Sequence, residues 1–437
     1  MFEKEEVKLN EMKEQLDKIH LPLDEADDAI RLGFDRARRD KVKSRKKRNR
    51  IWSLVVAALL FFTFVTSIRV SPAFANAVAS IPGMEKFVDL IQFDKGLEGI
   101  FKNDYYQKVD VVQKKNGLTL TIDGVILDET GMNVYYTMQS QEAVNGLSIQ
   151  SVDLKNEQDI PPSGMSYGGS SPFEKSREWA SQIKYYFQEP TLFKDLSFTV
   201  EMDVLFQGET ISFSLPFELK ENVKQGKTIV LNQEVEIEGQ KLTIREITIY
   251  PLRIAVKVAF DESNTKKILK FEDMRLEDEK GEVWGSIKNG VVSRGDDTYF
   301  LQSNYFEEPK ELYLRINKMQ ALDKNEATLV VDTDKGEILN GPKDGKLKIN
   351  ESSRSGLHLI MPNAGDDPTH SYDIISTGKD ANGKKIYIPS TAMYMDEEGT
   401  RHWDMTIETS NYTNPLHLEL AFYPNYITGN VKVELKK

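Results

Sequence analysis

The chain has 437 residues, a net charge of −12 and no cysteine. That length suits two to four domains. The missing thiols exclude disulfide scaffolds, thiol catalysis, iron–sulfur clusters and thiolate zinc sites, and the acidic excess argues against nucleic acid as a direct ligand. The charge is also unevenly placed: residues 1–35 carry −6, residues 36–50 carry +9, and residues 71–437 carry −16.

Residues 2–19 place Phe2, Leu9, Met12, Leu16 and Ile19 at helical spacing among Lys and Glu. Leu21-Pro22-Leu23 interrupts the run, because proline disfavours helix in the residue before it. Asp24 then suits an N-cap, with Glu25, Asp27 and Asp28 in the first turn and Ile30 and Phe34 continuing the apolar stripe. Two short amphipathic helices with a hinge cannot bury much apolar surface alone, so they need a partner. The reading preferred is an arm that binds a cytoplasmic protein as helices in grooves, over a tail lying on lipid.

The next segment, Ile51–Ile68, has eighteen residues and no formal charge. As a helix it would cover roughly 27 Å, close to the hydrocarbon core of a bilayer. Before it stands a basic stretch ending in Arg45, Lys46, Lys47, Arg48 and Arg50. The positive-inside rule then predicts a single-pass protein of the cell membrane, with the N-terminus cytoplasmic and the remainder extracellular. Anionic lipid is the expected partner of the basic stretch. Ala73-Phe74-Ala75 has the small-x-small form of a signal-peptidase site, making Ala75 a candidate cleavage position. The long segment before the apolar run favours an uncleaved signal anchor. An exterior without disulfides fits a Gram-positive bacterium.

From Ser71 to Gly99, apolar residues broken by Ile81-Pro82-Gly83 predict a short helical stalk that packs on the first domain. Beyond Val109 the pattern is period-2 alternation, as in LTLTIDGVI (118–126), LSFTVEMDVL (196–205) and KLTIREITI (241–249). The expected fold class is mainly β: two or three tandem immunoglobulin-like β-sandwiches, preceded by the stalk, one transmembrane helix and a small α-helical arm. Leu120, Thr121, Ile122, Val125 and Leu127 align with Leu242, Thr243, Ile244, Ile247 and Ile249, indicating a repeated unit. Closing hairpins are expected over Leu196–Phe217 in the first unit, Glu311–Val331 in the second, and Leu416–Phe422 with Asn430–Leu435 in the third. A third unit is suggested by Asp396-Glu397-Glu398-Gly399 before His402-Trp403, which resembles Asp278-Glu279-Lys280-Gly281 before Val283-Trp284. The expected division is 1–40 arm, 41–50 basic stretch, 51–70 span, 71–105 stalk, and β domains over 106–222, 223–340 and 341–437.

Motifs for chemistry are weak. Gly164-Met165-Ser166-Tyr167-Gly168 matches a nucleophile elbow, but the flanking Pro, Ser and Gly read as a flexible loop without the strand–turn–helix context. Asp332-x-Asp334-x-Gly336 reads as turn acids and not a calcium loop, since its glycine falls one position early. His358, His370, His402 and His417 have no helical zinc spacing and read as solvated or hydrogen-bonded. No metal, no cofactor and no enzymatic activity are expected.

The most specific stretch is HLPLDEADDAIRLGFDRAR, a basic run, one apolar segment, then RVSPAFANAVASIPGMEKF. It resembles a bacterial single-span, anti-sigma-factor-like family that carries an uncharacterised extracellular domain directly after the transmembrane helix. The resemblance implies an arm over residues 1–40 that sequesters an extracytoplasmic-function sigma factor, and exterior domains that sense envelope state. Phe2, Leu9, Met12, Leu16, Ile19, Ile30 and Phe34 would form a zinc-free clasp, because His20 has no cysteine partners. The alternative is a membrane-anchored surface protein whose β modules bind cell wall or another surface ligand.

Overall fold

The computed structural model describes residues 3–17 and 78–436, except 79–80, 82, 92–93, 146, 169–174, 221–222, 293–297, 308, 363–372 and 409–410. The chain divides into two units, Met1–Val70 and Ser71–Lys437. In the first, helix α1 (Glu3–Asp17) is described. The expected span over Ile51–Ile68 lies outside the described residues; among those described, no helix is long and apolar enough to cross a membrane.

The second unit is mainly β. It opens with a helical segment: a 3-10 turn (Glu85–Phe87), α2 (Val88–Ile91) and α3 (Lys95–Lys102). Asp94 caps α3, its Oδ1 accepting from the backbone N–H groups of Gly96 (3.0 Å) and Leu97 (3.2 Å).

A first module follows. One sheet holds β1 (Gln107–Lys115), β2 (Leu118–Asp128), β3 (Gly131–Asn145), β6 (Lys175–Tyr186) and the short edge strand β5 (Gly164–Tyr167), in the order β1-β2-β3-β6-β5. The other is β4 (Ser148–Asn156), β7 (Ser197–Phe206) and β8 (Glu209–Glu218). Inward residues of both, such as Leu120, Ile122, Val134, Val200 and Phe213, form one core. The period-2 pattern predicts these strands because every second residue faces that core. Ser166 of the G-x-S-x-G match is exposed on edge strand β5, where the sequence predicts a flexible loop.

The second module contains β9 (Lys227–Ile237), β10 (Gln240–Ile249), β11 (Arg253–Phe260), β12 (Lys266–Asp278), β13 (Val283–Val292), β14 (Thr298–Gln302) and β15 (Leu312–Asp323). The aligned repeat has a structural counterpart. In the β2–β3 pair the register breaks between Ile122 and Gly124, and in β10–β11 between Ile244 and Glu246, the corresponding positions. A shared bulge is a shared bend.

The third module has β16 (Thr328–Asp332), β17 (Glu337–Asn340), β18 (Lys348–Ser352), β19 (Gly356–Pro362), β20 (Ile375–Lys379), β21 (Lys385–Ile386), β22 (Ser390–Met395), β23 (Thr400–Thr406) and β24 (Leu416–Leu420). Its sheets run β17-β16-β24-β20-β21 and β18-β19-β23-β22, around a core centred on the fully buried Trp403. The last strand, β25 (Tyr426–Lys436), returns to the second module and pairs antiparallel with β15, giving the order β25-β15-β12-β13-β14-β11-β10-β9.

This pairing moves a boundary. A division at 340/341 would cut the third module between β17 and β18, whereas the sheets place that module between β15 and β25, as an insertion in a hairpin of the second. Glu311–Val331 is therefore not a closing hairpin, and β24 and β25 do not pair with each other. Local alternation identifies a strand but not its partner, which here is more than a hundred residues away.

The resemblance between Asp278-x-x-Gly281 and Asp396-x-x-Gly399 is one turn used twice. Asp278 Oδ1 accepts from Lys280 N and Glu282 N (both 2.8 Å), and Asp396 Oδ1 from Glu398 N (3.0 Å) and Thr400 N (2.8 Å). Each glycine has the positive φ the turn requires, 80° and 78°. Asp380-Ala381-Asn382-Gly383 repeats it a third time. Asp332 likewise holds a turn, accepting from Asp334 N (3.1 Å) and Lys335 N (3.2 Å).

Deleting residues 426–437 is expected to destabilise the second module and spare the third, because Ile427 and Val433 belong to the second core. Hydrogen exchange should show β15 amides exchanging at least about tenfold faster, with β19 and β23 still protected; equal loss in both modules would contradict the insertion. Lys270, on β12 opposite Gln320, is nearly buried, and burial pulls its ammonium from 10.5 down to about 8, with Glu272 opposing. The unfolded chain therefore holds this proton more tightly, and stability should rise as pH climbs from about 8 to 10.5. Lys270→Met is expected to raise the Tm at pH 7 and remove that rise, as read by thermal unfolding across pH.

Candidate functional site

The helical segment is wedged between the first two modules, and its sequence explains how. Toward the first module it presents Phe87 and Phe101, which meet Tyr135 at ring-centroid distances of 5.3 and 6.2 Å. Lys86 Nζ reaches Asp123 Oδ1 at 2.8 Å. Burial pushes the Asp123 carboxyl up, and Lys86 and Thr137 oppose that. Toward the second module α3 makes its closest approach at glycine: a Cβ on Gly96 would lie 2.6 Å from the Ser303 carbonyl oxygen, and one on Gly99 3.3 Å from Phe306. Lys95 Nζ bonds Glu282 Oε1 at 2.5 Å across the same contact.

Tyr105 ties three parts together. Its hydroxyl donates to the Leu127 carbonyl (2.7 Å) and accepts from Lys224 N (3.1 Å) in the segment joining the modules. Burial pushes this phenol far above its ordinary value, so it stays a donor.

Beside it lies a buried charge. Asp128 is 0 % exposed at the end of β2. Its Oδ1 accepts from Thr130 N (2.7 Å), Thr130 Oγ1 (2.7 Å) and Gly131 N (3.1 Å), all from the first module. Its Oδ2 accepts from Leu252 N (2.7 Å) of the second. Burial pushes Asp128 up, and the Arg253 charge is the largest influence opposing it; burial likewise pulls Arg253 down. Arg253 is 8 % exposed, with its guanidinium 4.5 Å from the Tyr186 ring centroid and 5.4 Å from that of Phe300.

These groups border a cavity of about 130 Å³. The helical segment contributes Asp94, the first module Asn133, Lys184 and Tyr186, and the second Arg253 and Gln302. The Gln302 amide nitrogen is buried without a hydrogen-bond partner. Such a wall, two cations, an acid and two amides over aromatic sides, can recognise a small polar solute.

A second polar group lies in the third module. His358 Nε2 is 3.0 Å from His402 Nδ1, His402 Nε2 is 3.1 Å from Asp396 Oδ2, and His358 Nδ1 is 3.1 Å from Asn350 Nδ2. Tyr394 stacks on His402 at 4.5 Å. One set of protons satisfies the chain: His402 donates to Asp396, His358 to His402, and Asn350 to His358. His402 holds the Asp396 carboxyl below its ordinary value. Among the described residues, no group of three or more His, Cys, Asp or Glu could hold a metal ion.

Of the arm residues expected to bind a partner, Leu9 and Met12 lie on α1, 70 % and 68 % exposed, and Leu16 falls within the same helix. Phe2, Ile19, Ile30 and Phe34 lie outside the described residues, as do Arg45, Lys46, Lys47, Arg48, Arg50 and Ala75. Sequence reasoning missed Asp128, Lys184 and Arg253. The available signal for Arg253 was a charge opening the otherwise apolar run Ile254-Ala255-Val256.

Comparison with known proteins adds two matches. Residues 45–140 match a domain of unknown function (DUF4179), and residues 226–350 match a family of unknown function (DUF5643). No curated protein matches the chain. Among solved structures, the conserved domain protein from Bacillus anthracis is similar at 14% identity and a TM-score of 0.36, covering 54% of this chain and 84% of that one.

Gly96→Ala is expected to destabilise the second unit by about 1–3 kcal/mol through overpacking against Ser303. The local helix preference has the opposite sign, since Ala is favoured over Gly by about 1 kcal/mol. Chemical denaturation of the two proteins decides between them, and a stabilised variant would show that α3 does not pack there.

Proposed function

We propose that this is a single-pass membrane regulatory protein, anti-sigma-factor-like, whose N-terminal arm sequesters a cytoplasmic sigma factor. Its β modules, read as immunoglobulin-like sandwiches on a membrane-proximal helical segment, sense the state of the envelope from outside. The observation that carries the reading is α1: a fifteen-residue helix dominated by Lys and Glu that leaves Leu9 and Met12 exposed one turn apart. A helix this short is marginal in water unless its apolar positions find a groove. Support also comes from the order of the sequence, in which a basic stretch precedes an eighteen-residue uncharged run. The matched domain of unknown function over residues 45–140 spans this junction.

A second reading, a membrane-anchored surface-binding protein, is favoured by one feature, the cavity between the first two modules. The arm separates the two. A pull-down with residues 1–50 is expected to retain a sigma factor, and Leu9→Asp with Met12→Asp to reduce retention at least about tenfold. Failure of the unmodified arm to retain any sigma factor would leave the surface-binding reading in its place.

A further inference from the structure

We infer that the cavity bordered by Asp94, Lys184 and Arg253 is a binding site for a small carboxylate-bearing solute. Arg253 carries the argument. It is 8 % exposed, yet no described residue makes a hydrogen bond to its guanidinium. Its nearby acid, Asp128, spends both oxygens on Thr130, Gly131 and Leu252. Tyr186 and Phe300 fix the guanidinium plane from their ring faces, so its N–H fork is held in place. A carboxylate accepts two parallel N–H bonds from such a fork.

The other walls narrow the solute. Lys184 lines the cavity and forms no ion pair with any described residue, so a second cation faces the same space. The Gln302 amide nitrogen is a buried donor without a partner, a state that costs about 1–3 kcal/mol. A volume of about 130 Å³ admits a solute of a few heavy atoms. Asp94 on the wall and Asp128 behind Arg253 balance the two cations, so a dianion such as phosphate is opposed more strongly than a single carboxylate. Asp94 also offers a place for an ammonium group. Simple acids and α-amino acids share the carboxylate, and this residue is where they differ.

This site stands apart from the arm's partner, so its test is made without any sigma factor. The purified full-length chain is titrated with acetate, lactate, glycine and alanine, with chloride and phosphate as controls, by calorimetry and thermal unfolding. At least one carboxylate is expected to bind saturably and raise the Tm, chloride and phosphate to have no effect, and Lys184→Gln to weaken binding at least fivefold. Tighter binding of glycine and alanine than of acetate and lactate, lost in Asp94→Asn, would assign an amino acid. The reverse order would assign a simple acid. Gln302→Leu serves as a second variant, since Lys184 and Gln302 can both be replaced without removing the Asp128 bonds. Hydrogen exchange should slow at 252–254 and 300–302 on binding. No saturable binding at millimolar carboxylate, equal binding of chloride, or full binding by both variants would overturn the site.

Discussion

A carboxylate withdrawn from water is tolerated only when its lone pairs are met by donors, and Asp128 meets that condition with donors from two modules. Three come from the turn that follows β2, and the fourth is the Leu252 N–H of the second module. Separating the modules would strip one oxygen of its donor and part the carboxylate from the Arg253 charge that opposes its burial. While the carboxylate stays buried, losing one partner of such a group costs about 3–5 kcal/mol. The charge therefore acts as a registration device: it adds little to stability over an apolar contact, but only one docking of the modules satisfies it. Glu129 reinforces the same register, its Oε2 accepting from Gly226 N at 2.7 Å in the connecting segment.

The helical segment depends on that register. Its glycine face fits the Ser303 carbonyl only if the second module sits where Asp128 holds it, and its aromatic face fits Tyr135 only if the first module does. The third module is fixed differently, by two chain crossings. Residues enter it after β15 and leave through β25, and those two strands pair with each other. Gln320, fully buried on β15, accepts from Tyr423 N at 3.1 Å, and Ala321 N donates to the Asn425 carbonyl at 2.9 Å. A module tethered at both ends to neighbouring strands cannot swing like a bead on a linker.

What was legible in the sequence was what is local. LTLTIDGVI and KLTIREITI announce half-buried strands because side chains alternate faces, and the same repeat carried even the bulge at Ile122 and Ile244. Asp-x-x-Gly was readable as a repeated element, and it proves to be a turn in which the aspartate and the glycine each act within four residues. What was not legible is non-local. Nothing in YITGNVKVELK says that it pairs with residues 312–323 instead of with β24. Gly96 and Gly99 read as poor helix formers, and only the facing Ser303 and Phe306 explain them. The cavity was invisible for the same reason, since Asp94, Lys184 and Arg253 are scattered over some 160 positions and meet only through the docking. The apolar run at Ile51–Ile68 and most of the arm lie outside the described residues.

A solute in the cavity would touch all three parts that the junction holds together, and this bears on what sensing could mean physically. Asp94 is both a wall of the cavity and the cap of α3, and Leu97 follows in the same helix. Occupancy and helix docking are therefore linked, and by linkage each must favour the other by the same factor. A ligand shifts an equilibrium only by its difference in affinity between two arrangements. That difference has a clear source here: with α3 docked, the carboxylate meets Arg253, Lys184 and Asp94 together, and with α3 displaced it loses the wall that Asp94 and Leu97 supply. At a hundredfold excess over its Kd, a solute bound only to the docked form stabilises it by about 2.7 kcal/mol. That is enough to change the docked-to-displaced ratio about a hundredfold. The helical segment is also the part of this unit closest in sequence to the apolar run.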